Sequence, residues 1–233
     1  MLVLTVTRCI QGFFRRMAMP YFSLFILALG GQPRDIGYVR TARTLSALLI
    51  FPIAGYITDR RGRVKIIAVA GYLSSLTYLI YIFATNWTNI AVGTFLQGLV
   101  MVHFPALGAI MADSLHPRHR GIGFALSITI PGAIGILSPY IGGYLIDNYG
   151  VTVAMRWIFA SLLMVVILSA TIRLKFLKET VDRPISEPRA NGLLTTVKES
   201  YRDAFDALRW MPRDLWSLAS VVTLISFLNS VVV

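Results

Sequence analysis

The chain has 233 residues, 56% of them hydrophobic and 14% charged, with a mean hydropathy of +0.68, whereas soluble domains carry about 25% charged residues. This composition excludes an ordinary soluble domain. The net charge of +11 would suggest nucleic acid as the partner of a soluble chain; here the charges lie mainly between apolar runs, so the positive-inside rule explains them and no nucleic acid is expected.

The apolar residues form about seven runs of roughly 20 residues, each long enough to cross a bilayer as a helix. The predicted spans run roughly from Leu2 to Leu29, Ile36 to Ile57, Val64 to Ala84, Asn89 to Met111, Ile122 to Ile146, Val153 to Leu174 and Leu215 to Val233. This pattern defines an all-α polytopic membrane protein. Its expected divisions are a six-helix bundle over residues 1–174, a linker over 175–213 and the start of a seventh helix over 214–233. The N-terminus is apolar from Leu2 and lacks the basic start of a signal peptide, so it reads as part of the first span.

Lys and Arg distribute unevenly among the connectors. Those after spans two, four and six hold four, two and nine, while the opposite connectors hold only Arg34 and Arg156. This bias predicts a cytoplasmic N-terminus in a cell (plasma or inner) membrane. Between spans six and seven, Pro184 and Pro188 mark a turn-rich stretch. Leu194, Val197, Tyr201, Phe205 and Leu208 then recur at helical spacing, predicting an amphipathic helix along the lipid interface.

The end of span two repeats at the end of span five. Ala54-Gly55-Tyr56-Ile57-Thr58-Asp59-Arg60-Arg61-Gly62 matches Gly142-Gly143-Tyr144-Leu145-Ile146-Asp147-Asn148-Tyr149-Gly150, with Pro52 and Pro139 ahead of the two copies. Three spans separate the copies, which places them on opposite sides of the membrane, as in two inverted three-helix repeats.

The stretch Gly55-Tyr56-Ile57-Thr58-Asp59-Arg60-Arg61-Gly62-Arg63-Val64-Lys65 resembles the signature loop of the major facilitator superfamily, Gly-x-x-x-Asp-Arg-x-Gly-Arg-[Arg/Lys]-x. In physical terms Gly55 allows close helix approach, Asp59 offers a carboxylate at a helix end, Gly62 permits a tight turn, and Arg60 and Arg63 can pair or bind lipid phosphate. The resemblance implies a gate in which the Asp59 position latches two halves of a transporter. It also implies a twelve-helix fold of which this sequence resembles the first six-helix half plus the start of helix seven, to be completed by a C-terminal half or a second copy. Arg120, in the basic turn after span four, is expected to partner Asp59 or Asp113. In span five, Gly132, Gly135, Pro139, Gly142 and Gly143 form a stripe open to close packing. The stripe partly resembles the family's antiporter motif, with Ser138 and Gly135 as departures. Thr94 stands where many proton-coupled members have Arg.

Arg15 and Arg16 lie near the middle of span one, and Arg43 and His103 lie at membrane depth in spans two and four. Intramembrane cations should face a partner or an aqueous cavity. All acidic residues fall in connectors or at span ends, so a positive cavity suggests a small organic anion as substrate, with His103 the candidate proton carrier. Because adjacent helical residues point about 100° apart, Arg15 and Arg16 are not expected to face one spot. The resulting expectation is a secondary transporter working by alternating access. A non-transporting half or gene fragment and a drug or metabolite efflux antiporter are the alternatives. No enzyme chemistry is expected, since no nucleophile with a base and no paired carboxylates lie near the midplane. No cofactor or metal site is expected from a single Cys9 and the histidines His103, His116 and His119. Asn86-Trp87-Thr88 matches a glycosylation sequon, read as coincidence so close to the membrane.

Overall fold

The computed structural model describes residues 2–60, 62–177, 179 and 193–232. Every regular element among them is helical. Span one is α1 (Leu2–Ala18) and α2 (Phe22–Ala28), joined by a 3-10 turn over Met19–Tyr21 that contains Pro20. Spans two and three are α3 (Pro33–Arg60) and α4 (Arg63–Ile82). Span four is α5 (Trp87–Leu99) and α6 (His103–Asp113), broken at Val100–Val102; span five is α7 (Arg120–Ile134) and α8 (Ser138–Tyr149), broken at Gly135–Leu137. Span six is the unbroken α9 (Val151–Phe176).

Clustering of the fold gives two compact units, Met1–Arg189 and Ala190–Val233. The second contains α10 (Leu193–Arg209) and α11 (Arg213–Val232). On α10, Arg202 lies 3.9 Å from Asp206, one turn on.

Among the described residues, five helical segments are long and apolar enough to cross a membrane: Pro33–Thr58, Arg63–Ile82, Trp87–Asp113, Pro117–Tyr149 and Val151–Phe176. The sequence predicts seven. Span one is broken after Ala18 and carries Arg8, Arg15 and Arg16, which lower its hydropathy, and only Asp214–Ser226 counts as an apolar stretch in α11. The outer surface of the first unit is apolar, with Leu48, Ile128 and Ile136 each about two-thirds exposed or more, as a lipid-facing surface requires.

Packing within the first unit has internal symmetry. Span three lies along span six through α4 and α9. Span one packs on spans five and six through α1, and span four packs on spans two and three through α5 and α6. Exchanging spans one to three with spans four to six maps each of these contacts onto another, the relation expected of inverted three-helix repeats.

Two apolar clusters hold the bundle together. One centres on Phe159, whose ring lies 4.9 Å from Tyr81 and 5.7 Å from Phe25, and joins spans one, three and six. The other gathers Leu4, Val64, Ile67, Ala106, Leu107, Ile110 and Met111. On α1 the buried members Leu4 and Met17–Ala18 lie on either side of residues 8–16, within which Phe13 and Phe14 pack on the first cluster and Arg8, Arg15 and Arg16 line a cavity.

Helix ends follow local chemistry. Asn86 caps α5, its Oδ1 accepting from the Asn89 amide at 3.0 Å and the Thr88 hydroxyl at 2.6 Å, so the sequon-like triplet has a structural use. Gly150, between α8 and α9, has φ +78°, where a side chain would be strained. Gly62, its counterpart in the repeat, has φ −57° and needs no such freedom. Gly62 lies in the short connector between α3 and α4, as a turn residue, without a left-handed backbone. The expectation for Gly55 is corrected: no described atom lies within 4 Å of where its Cβ would be, so it mediates no close approach in this unit.

Close approach occurs elsewhere. A Cβ on Gly98 would collide with the Ser46 hydroxyl and come within 2.7 Å of the Arg43 carbonyl. Gly98→Val is expected to push α5 off α3 and destabilise the protein by ~1–3 kcal/mol, whereas Gly37→Ala, which meets open space, leaves the melting temperature nearly unchanged. Thermal denaturation in detergent checks both.

Candidate functional site

Between the two apolar clusters lies a cavity of about 680 Å³. Spans one to six all contribute to its wall, and Arg8, Arg15, Arg16, Arg43 and Arg173 supply its charge. Among the described residues no carboxylate lines it. Apolar surface comes from side chains such as Phe104, Leu107, Phe124 and Met101, so the site can take a ligand with both an apolar body and an anionic group.

The guanidinium groups are held by neutral partners. Arg173, 5% exposed, donates from Nε to the Thr7 hydroxyl at 3.0 Å and from Nη2 to the Gln11 side-chain carbonyl at 3.1 Å. The Thr7 hydroxyl passes its own proton to the Val3 carbonyl at 2.8 Å, which leaves its oxygen free to accept from Arg173. Arg8 reaches the Met111 sulfur at 2.8 Å and the Ser127 hydroxyl at 3.4 Å. Arg16 donates to the Gly132 carbonyl at 3.4 Å. Among the described residues none of these arginines, nor Arg15 or Arg43, forms an ion pair.

Arg15 and Arg16, both cavity candidates by sequence, both line the cavity, pointing about 100° apart on α1. The mouth of the cavity is broad, and span five makes room for Arg16: its side chain lies against Gly132 and Gly135, where a Cβ on Gly135 would meet the Arg16 Cδ at 2.5 Å. The rest of the span-five stripe faces span one as well. A Cβ on Gly142 would come within 2.6 Å of the Met17 carbonyl, and one on Gly143 within 2.5 Å of the Tyr21 hydroxyl. That hydroxyl donates to the Pro139 carbonyl at 2.9 Å.

His103 also lines the cavity, with Nδ1 2.8 Å from the Val100 carbonyl. A carbonyl only accepts, so Nδ1 carries the hydrogen and Nε2 keeps its lone pair. Thr94 is buried away from the cavity, where it accepts from the Tyr81 hydroxyl at 3.1 Å.

At the α3–α4 junction the side chains of Asp59 and Arg60 lie outside the described residues. Arg63 forms an ion pair with Asp113 at the end of α6. Arg120, expected to partner Asp59 or Asp113, does not take Asp113 but donates from Nε to the Ala112 carbonyl at 3.0 Å; the Asp59 alternative lies outside the described side chains. The reason is placement: Arg63, at the first position of α4, faces the end of α6, while Arg120 follows a tight turn and its Nε meets the α6 backbone.

Sequence reasoning passed over Glu179. Its carboxylate accepts from the backbone amides of Arg63 and Val64, at 3.1 Å each, and so caps the positive end of α4. A Cβ on Gly62 would come within 2.9 Å of this carboxylate, so the glycine of the signature loop opens space for an acid placed after span six. The only sequence signal was an acidic residue in a basic connector. Glu179→Ala is expected to raise amide exchange at Arg63 and Val64 by roughly five- to tenfold, read by hydrogen–deuterium exchange; unchanged protection would contradict the cap.

The fold and cavity define a polytopic helical membrane protein with a midplane polar site. The sequence profile of the Major Facilitator Superfamily matches residues 4–233, and the chain belongs to that family. Its curated relatives include the multi-drug resistance efflux pump PmrA of Streptococcus pneumoniae, 25% identical over 194 residues, covering 79% of this chain and 47% of the relative. Another is the multidrug resistance protein MdtG of Dickeya zeae, 27% identical over 179 residues, covering 73% of this chain and 42% of the relative. Among solved structures, the crystal structure of the human organic anion transporter MFSD10 (TETRAN) superposes with a TM-score of 0.59 at 17% identity, over 77% of this chain and 47% of that one. The chain thus spans about half the length of the curated relatives it matches.

Proposed function

We propose that this chain forms the cavity-bearing half of a secondary transporter that moves an organic anion by alternating access. One observation carries the reading: among the described residues, five arginines and no carboxylate line a cavity between the apolar spans. Guanidinium groups in low dielectric are costly without an anion nearby, and an amphipathic anion satisfies both the arginines and the apolar wall. The side of the cavity facing away from this unit is closed by a second six-helix half, in the same chain or a second copy, and lipid surrounds the rest. In this reading the N-terminus is cytoplasmic, and the Asp59 loop, with the Arg63–Asp113 pair, holds one end state. His103, with its Nε2 lone pair free to take a proton, is the candidate coupling site.

A second reading, drug efflux, is favoured by the names of the curated relatives, which are multidrug pumps. Uptake into proteoliposomes by the full-length protein separates the two. An aromatic sulfonate, which stays ionised and does not cross lipid unaided, should be transported, and an aromatic quaternary ammonium of similar size should not. Arg15→Gln and Arg43→Gln should each lower sulfonate uptake at least tenfold at unchanged expression. Transport of the cation with unchanged sulfonate handling in the variants would establish the efflux reading, and no uptake of either probe would contradict both.

A further inference from the structure

Arg173, on α9 and packed against α1, is the most buried of the cavity arginines. A guanidinium has five N–H donors; here one goes to Thr7 and one to Gln11, and both acceptors are neutral. Gln11 shares a helix face with Arg8, three residues earlier, and both side chains line the cavity with Arg173. Arg8 is itself held by a thioether and a hydroxyl. Two cations therefore sit together at one level of the cavity, oriented by Thr7, Gln11 and Ser127, with no acid to neutralise them among the described residues.

Arg15 lies seven residues after Arg8 on the same face of α1, ~10 Å further along the helix axis. Arg43, on span two, lines the same cavity as Arg15. The positive charge is thus divided between two levels. Phe104 and Leu107 supply apolar wall to the same cavity.

From this division we infer that the cavity is a two-point site: Arg8 and Arg173 form an anion-binding subsite of their own, and the ligand class is an elongated dianion with an apolar middle. The inference rests on the organic-anion reading and deepens it. A carboxylate, sulfonate or phosphate monoester oxygen pair at the Arg173 end would take up guanidinium N–H donors that Thr7 and Gln11 leave unclaimed, with a second anionic group at Arg15 and Arg43. A single anionic group could satisfy only one level.

Calorimetric titration of the purified full-length protein with three probes at pH 7.5 tests this. The first is decanedioate; the second is its monomethyl ester, with one charge; the third is heptylmalonate, an isomer of decanedioate with both carboxylates on one carbon. The expected result is that decanedioate binds at least tenfold more tightly than either of the others. Arg173→Gln should reduce this preference to about onefold, and Arg173→Lys should retain part of it. If Arg173→Gln does not accumulate, Arg8→Gln gives the same readout. Equal binding of decanedioate and its ester would overturn the two-point site while leaving the organic-anion reading standing. Equal binding of decanedioate and heptylmalonate would overturn it likewise, since charge alone would then suffice. Binding of none of the three overturns both.

Discussion

The structure depends on keeping guanidinium groups at membrane depth without carboxylates beside them. A cation in hydrocarbon is expensive, and three of the five cavity arginines are held by something neutral: a threonine hydroxyl and a glutamine carbonyl for Arg173, a sulfur and a serine for Arg8, a backbone carbonyl for Arg16. Hydrogen bonds to neutral acceptors orient a charge but do not cancel it. The surrounding fold answers to that need. Two apolar clusters enclose the charged layer on either side, and spans one, four and five, each broken by a 3-10 turn, all border it. Short 3-10 stretches inside helices often mark hinges, so span one with Arg8, Arg15 and Arg16 is suited to move against the unbroken α3 and α9 that carry Arg43 and Arg173.

A second group of interactions works at helix ends. The first turn of α4 receives Glu179 on its free amides, and the Arg63 side chain from the same turn reaches Asp113 at the end of α6. Spans three and four and the segment after span six are thereby tied at one point beside the signature loop. Arg156 provides a tie at the other end of α4, donating to the Ala84 carbonyl at 2.9 Å. With α4 anchored at both ends and packed along α9, the pair forms the rigid spine against which the broken spans are set.

Much of this was legible in the sequence. Span number and order within the first unit, the inverted repeat, the signature loop and the membrane-depth arginines of spans one and two all follow from hydropathy, spacing and charge, because lipid imposes a strong pattern on the chain. What the sequence concealed depends on tertiary distance. Arg173 counted as a cytoplasmic-side residue at a span end, and only its burial against Thr7 and Gln11 makes it part of the cavity. The role assigned to Gly55 came from what glycine permits in general. The fold also uses Gly62 to admit a carboxylate from far along the chain, and places close helix contacts at Gly98 and Gly142. The partner expected for Asp113 by sequence was Arg120, and helix geometry gave it Arg63.

The central claim is that the cavity arginines lack a protein counter-charge and wait for an anion. The most direct test is the thermal stability of Arg43→Gln against the unsubstituted full-length protein, in a low-salt zwitterionic buffer free of organic anions. An unpaired guanidinium at this depth is a burden on the empty protein, so the variant should melt higher, by the equivalent of ~1 kcal/mol or more. A variant that melts lower would show that Arg43 is held by an acidic partner, and the anion site would have to be abandoned.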